Sequence, residues 1–173
     1  MTTIVLPDPS LVVLIGAAGA GKTTFAARHF DAADVLSSDA FRAGIAGDEA
    51  DQRATRPAFA ALHRELDRRL RAGRLTVVDA TNAQAAARRA LLVRAWAAGV
   101  PAAAIVLDLP AITIRRQNAG RVGRVVDPDV VERHLAAVRT TVERGRLTEE
   151  GFDPVVVLRT IDDLVAVMIE RRG

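Results

Sequence analysis

Fourteen residues, Leu11 to Thr24, constrain this chain more than any others. Five consecutive branched apolar residues, Leu11-Val12-Val13-Leu14-Ile15, run directly into Gly16-Ala17-Ala18-Gly19-Ala20-Gly21-Lys22-Thr23-Thr24, which fits G-x-x-x-x-G-K-T. The apolar Phe25, Ala26 and Ala27 follow. An unbroken apolar run of this kind is typical of a strand buried on both faces, and a glycine-rich loop between a strand and a helix is the setting of a phosphate loop. Its backbone N–H groups point inward at a polyphosphate, at the positive end of the following helix. The pattern assigns Lys22 to the β- and γ-phosphates and the Thr23 hydroxyl to Mg²⁺. A small-residue turn that merely fits the pattern is the plainer reading. The order strand, loop, helix, with both Lys22 and Thr23 in place, weighs against it. ATP or another nucleoside triphosphate is the implied ligand, with Mg²⁺ as its metal.

The rest of the chain repeats strand and helix in alternation. Strands are expected at 33–36, 75–78, 103–109 and 155–158, and helices at 22–30, 56–72, 84–98, from Pro110 onward, 129–144 and 162–171. Phe59, Leu62, Leu66 and Leu70 mark one face of the second helix, and Val131, Leu135, Val138 and Val142 recur at helical spacing in a later one. Residues 1–10, with two prolines, read as a lead-in, and 43–51 as an acidic loop. The expectation is an α/β fold of the P-loop kinase type: a three-layer sandwich, with a central five-stranded parallel sheet, helices on both faces and a helical lid at about 115–145. No repeat or linker divides residues 1–173, so one domain is expected. Right-handed crossovers gather the carboxyl ends of the strands on one edge, where ligands bind.

Composition excludes several classes. The chain has no cysteine, hence no disulfide framework and no thiolate metal site. No uncharged apolar run approaches membrane length and no leader pattern opens the chain, so a soluble, cytoplasmic protein without membrane contact is the default expectation. Of 24 cationic side chains the only lysine is Lys22, where a compact ammonium suits phosphate chemistry. Net charge is −4 over residues 1–52, +10 over 53–124 and −3 over 125–173. The basic middle third suits an anionic polymer, and it also suits ordinary solvated arginine-rich helix faces.

Three constellations carry chemistry. Asp39 and Arg42 follow the second strand, in Ser37-Ser38-Asp39-Ala40-Phe41-Arg42. A carboxylate there can take the proton of an attacking hydroxyl, and an arginine three residues on can clamp an acceptor phosphate. A plain helix cap with a surface arginine fits the same residues. Asp79 ends an apolar strand, where it can hold a Mg²⁺-bound water or Thr23; capping the next helix with Asn82 is the alternative. Arg116, Arg121 and Arg124 lie in a glycine-bearing segment suited to closing on the transferring phosphoryl group, with Arg121 and Arg124 the better placed. Phe41 is the one aromatic placed to touch an acceptor base. Trp96 and Phe59 are most simply core, and lone histidines such as His63 and His134 are most simply structural.

Taken together, G-A-A-G-A-G-K-T-T-F-A, L-S-S-D-A-F-R, D-Q, L-T-V-V-D-A-T-N and N-A-G-R-V-G-R, in that order, resemble the 5′-OH polynucleotide kinase module of bacterial RNA-repair kinase–phosphatases. The resemblance spans nearly the whole chain. It implies phosphoryl transfer from ATP, with Mg²⁺, to a single-stranded or end-exposed 5′-hydroxyl nucleic acid end. By position it implies Lys22 and Thr23 for ATP and metal, Asp39 as general base, Arg42 on the phosphate 3′ to the terminal nucleoside, and Gln52 against the acceptor strand. The family's lid commonly opens with Arg-Asn; here Gln117 precedes Asn118. Either Arg116 takes over that contact or one ATP contact is lost. The phosphatase and adenylyltransferase modules of that family are not in this chain. It is therefore either one domain of a longer protein, fused to or associated with phosphatase or ligase modules, or a stand-alone kinase. A kinase of a small hydroxyl compound such as a nucleoside, sugar or antibiotic is the competing expectation, and a nucleotide-dependent binding module without transfer chemistry is a third.

Overall fold

The structure, a computed structural model, describes residues 2–46 and 55–173. Seven strands are described: β1 (Thr3–Pro7), β2 (Leu11–Ile15), β3 (Val35–Ser37), β4 (Thr76–Asp79), β5 (Ala102–Leu107), β6 (Val155–Leu158) and β7 (Met168–Arg172). Between them lie helices α1 (Lys22–His29), α2 (Ser38–Ala46), α3 (Thr55–Arg71), α4 (Ala85–Ala98), α5 (Ala111–Ala119), α6 (Pro128–Glu143), α7 (Arg146–Glu150) and α8 (Ile161–Ala166).

The main sheet has five strands in the order β3-β4-β2-β5-β6, all parallel. Its middle strand is the apolar run of β2, buried at every position. Successive side chains of a strand point to opposite faces, and β2 divides accordingly. Leu11, Val13 and Ile15 join Leu62, Leu66 and Leu70 of α3 and Leu91, Leu92 and Ala95 of α4 in one core. Val12 and Leu14 join Phe25, Ala26 and Phe30, with Ile114 of α5 and Leu164 of α8, in the other. Helices thus cover both faces, as a continuous apolar strand requires. β5 carries Ala102, Ala103 and Ala104, all buried, where the helices approach the sheet.

Two expectations at the chain ends are corrected. Residues 3–7 are strand β1 rather than a lead-in, and the last helix stops at Ala166, not near Arg171. Residues 168–172 instead form β7, which pairs in parallel with β1 from Thr3↔Met168 to Pro7↔Arg172. The physical reason is tertiary. Ile4 and Leu6 are buried at alternate positions of β1, but β7 is nearly all exposed and carries no apolar alternation of its own. Its extended form is supplied by the β1 backbone and by Val167, which turns to an extended conformation and is buried. The segment after β3 is also more regular than expected, since α2 runs through residues 43–46. Trp96, expected in the core, is 53% exposed, whereas Phe59 is partly buried against the α3–α4 core.

One buried charge fixes the loop after β4. Arg88 of α4 is 1% exposed. Its guanidinium meets both carboxylate oxygens of Glu150 on α7, at 2.7 and 2.6 Å, and donates to the backbone carbonyls of Asn82 and Ala83 at 3.1 and 2.8 Å. Asn82, at φ 50°, donates its side-chain amide to Leu14 O at 2.8 Å. Removing one partner of such a pair leaves the other charge buried and uncompensated. Glu150→Ala is therefore expected to destabilise the protein by about 3 kcal/mol, read from urea unfolding midpoints, with Arg88→Met costing less than Glu150→Ala.

Candidate active site

The loop after β2 keeps the form its sequence implies because two of its glycines are irreplaceable on geometric grounds. Gly19 sits at φ 88°, and a Cβ there would lie 2.7 Å from Ile114 O and 3.0 Å from Asn118. Only glycine lets the loop sit this close to α5. Gly21, at φ 87°, turns the chain into α1. Lys22 folds back over the loop, and its Nζ donates to Gly16 O at 2.9 Å and Ala17 O at 3.0 Å. Burial pushes the Lys22 pKa down to about 8; Asp79 opposes that shift, and Arg121 and Arg124 deepen it. The two arginines of the α5–α6 connection therefore act on the same space as the loop lysine.

Sheet register brings the carboxylates in beside it. Leu14 is level with Asp79, and Ser37 is level with Asp79 on the other side. Asp79 thus stands at the end of its strand between the phosphate loop and the start of α2. Thr23 Oγ1 donates to Asp79 Oδ2 at 2.7 Å. A hydroxyl beside a carboxylate is an all-oxygen donor pair that suits a hard cation, and Mg²⁺ characteristically completes its shell with phosphate oxygens and waters. The pair therefore fits Mg²⁺. Among the described residues there is no cluster of three or more His, Cys, Asp or Glu that could hold a metal without such help.

Asp39 lies in the first turn of α2, one residue beyond the start of the helix. Arg42, one helical turn on and buried, and Arg124 from the α5–α6 connection both meet Asp39 Oδ1. These groups open into one cavity of about 1390 Å³. That is larger than the roughly 300–1,000 Å³ of a typical small-ligand pocket and leaves room for a second substrate. Its lining includes Arg28, Val126, Ile161 and Val165 as well as Ser38, Asp39, Arg42, Phe59 and Gln84. The phosphate loop, Asp79 and Arg124 line it as well.

Not every residue singled out from the sequence reaches this cavity. Ala18, Gly19, Ala20, Gly21, Lys22, Thr23, Thr24, Asp39, Arg42, Asp79, Arg121 and Arg124 line it. Gly16 and Ala17 are buried beneath it and serve as the Lys22 acceptors. Phe41 is outside the lining and packs against the α3–α4 core. Arg116 is exposed on α5 and does not line the cavity; its neighbour Gln117 does. Gln52 lies outside the described residues. Asn118 is buried, and its amide donates to Val126 O at 2.7 Å while its Oδ1 accepts from Val126 N at 3.1 Å, tying off the α5–α6 connection. Sequence reasoning did not single out Arg28 or the apolar face of α8, read His134 as structural, and named Gln117 only as the residue standing before Asn118. Only His134, one turn from Val130 on a helix already read as amphipathic, had a periodic signal that placed it.

A family model described as an AAA domain matches residues 11–144. No curated protein matches by sequence. Among solved structures, the Pnkp1/Rnl/Hen1 RNA repair complex contains a chain that superimposes with a TM-score of 0.62 at 22% identity, over 79% of this chain and 46% of that one. This chain thus spans less than half the length of that relative. A sugar kinase from Janibacter sp. HTCC2649 superimposes with a TM-score of 0.58 at 21% identity, over 91% of both chains. The Mycobacterium tuberculosis APS kinase CysC, solved with AMPPNP and APS, does so with a TM-score of 0.57 at 16% identity, over 92% and 93%. At these identities the likeness establishes the fold, a central parallel sheet flanked by helices as in P-loop kinases.

Lys22 offers a direct test of the site's electrostatics. The chain has no Tyr, no Cys and this one Lys, so Lys22 is the only side chain whose ordinary pKa lies between about 8 and 11. The unfolded chain keeps the lysine proton up to its ordinary value of 10.5, while the folded protein releases it near 8. Between those values the unfolded state holds more protons, so stability of the nucleotide-free protein is expected to rise with pH. Unfolding midpoints at pH 7.5, 8.5 and 9.5 in EDTA check this, and Lys22→Met should flatten the rise.

Proposed function

We propose, from the premise that the chain belongs to the AAA domain family, that it transfers the γ-phosphoryl group of ATP, or of another nucleoside triphosphate, to a hydroxyl acceptor, and that the acceptor is the 5′-OH end of RNA or DNA. The observation that carries this reading is Asp39 with Arg42, across one cavity from the phosphate loop. Similarity to a chain of an RNA repair complex supports it. The working site is completed by residues 115–145 acting as a lid, within one kinase domain at 1–173, in a cytoplasmic enzyme that works beside or fused to phosphatase and ligase modules.

The acceptor hydroxyl enters between Asp39 and the γ-phosphorus. Asp39 orients it and receives its proton as the new P–O bond forms in line with the departing β–γ bridge oxygen. Arg42, already bonded to Asp39, grips the phosphate 3′ to the terminal nucleoside. Because it reads a phosphate, little sequence preference follows. Lys22 leaves the loop carbonyls for the β- and γ-phosphate oxygens, and Arg121 and Arg124 offset the charge on the transferring group. Thr23 and Asp79 would hold Mg²⁺, which supplies charge neutralisation at the phosphates when bound. Arg116, exposed on α5, and Phe41, packed away from the cavity, are left without a firm part in this scheme, and Gln52 is kept as a contact to the acceptor strand.

The sugar kinase likeness over 91% of both chains supports a second reading, transfer to a small hydroxyl compound. Incubation with labelled ATP, Mg²⁺ and either a 5′-OH oligonucleotide or a panel of nucleosides, sugars and aminoglycosides separates the two. We expect label on the oligonucleotide, with binding that weakens steeply as salt rises; label on a metabolite alone refutes the polynucleotide reading. Asp39→Asn should lower kcat by at least about 100-fold while leaving ATP affinity near that of the parent. Arg42→Ala should raise KM for the oligonucleotide more than for ATP.

A further inference from the structure

His134 has no part in the scheme above, yet it lines the same cavity as the phosphate loop. On α6, Val131 and Val138 are buried in the two cores of the sheet. Val130 and His134, one turn apart, instead line the cavity with Lys22 and Arg124. The His134 Nδ1 is buried and has no hydrogen-bond partner among the described residues. Buried ring nitrogens normally find one, as His29 does by donating from Nε2 to Leu164 O at 2.7 Å.

We infer that His134 is a direct ligand of the donor's polyphosphate, hydrogen-bonding a phosphate oxygen from the α6 side while Lys22 and the loop backbone hold the other side. The inference rests on the nucleotide-binding reading given above and adds a residue to it. The surroundings agree. Burial first, then the charges of Lys22 on α1, Arg133 on α6 and Arg124 on the α5–α6 connection, hold the His134 pKa below its ordinary value. Arg121, Asp39 and Asp79 face the same cavity from their own elements. A polyphosphate reverses the sign of that field. The imidazole then gains a proton and with it a charge-assisted bond, the stronger kind. Polyphosphate binding should therefore take up a proton at His134 and tighten as pH falls toward 6.

The test measures affinity rather than turnover. Inorganic tripolyphosphate and ATP are titrated into the protein and into His134→Ala and His134→Gln, at pH 6.0 and 7.5, by calorimetry in buffers of different ionisation enthalpy. His134→Ala should weaken both ligands by the order of tenfold, and the proton uptake seen at pH 6.0 should fall in both variants. His134→Gln should recover part of the affinity at pH 7.5 but not the pH dependence. The inference is overturned if the alanine variant binds within twofold of the parent at both pH values. Should that variant not fold, a glutamine variant with undiminished proton uptake overturns it equally. Parent protein that binds tripolyphosphate but phosphorylates no hydroxyl sinks the kinase reading and leaves His134 standing; parent protein that binds no polyphosphate sinks both.

Discussion

The placement of β2 governs everything that touches the candidate site. It is buried on both faces and bonded in parallel to β4 on one edge and β5 on the other. A fully buried strand cannot slip by one residue without exchanging its two side-chain sets between cores. Its carboxyl end is therefore fixed against those of its neighbours. The phosphate loop leaves β2 at Gly16, Asp79 ends β4, and Asp39 follows β3 by two residues. Parallel pairing sends all three to the same edge, which is why a lysine, a hydroxyl and two carboxylates separated by up to 57 residues in sequence share one cavity.

Three cations of that cavity, Lys22, Arg42 and Arg124, are held by internal partners. Lys22 donates to two carbonyls of its own loop, Thr23 is bonded to Asp79, and Arg42 and Arg124 meet Asp39. A buried charge without a partner is costly, so these pairings let the fold carry several cations in one place. A polyphosphate competes for those same donors, exchanging carbonyl and carboxylate partners for phosphate oxygens. Recognition is then an exchange of hydrogen bonds within a preorganised frame, which limits the reorganisation that binding requires.

The frame has its own supports. Gly19 docks the loop against α5, and Asn118 on that helix holds Val126 by two hydrogen bonds. The stretch between those two bonded residues carries Arg121 and Arg124. Arg88 and Glu150 in turn brace the loop of Asn82 and Ala83, which lines the cavity. That support comes from α7, a five-residue helix between Gly145 and Gly151 for which the sequence offered no periodic signal.

Local chemistry alone determined the strand–loop–helix start, the alternation of strands and helices, and the two apolar faces of β2. Each of these depends on residue types at fixed short spacing, which a sequence displays directly. Lys22 and Thr23 were legible from the spacing of the glycine loop, and Asp39 and Asp79 because each follows closely on an apolar strand. Tertiary structure alone decided the rest. β7 is extended because β1 lies beside it, and no pattern within 168–172 encodes that pairing. Helical phase and the docking of α5 turned Gln117 rather than Arg116 toward the cavity, and packing drew Phe41 toward the core. His134 reads as an ordinary helical residue until the fold brings α6 to the wall of the cavity, because a side chain's partners are set by what the fold brings opposite it.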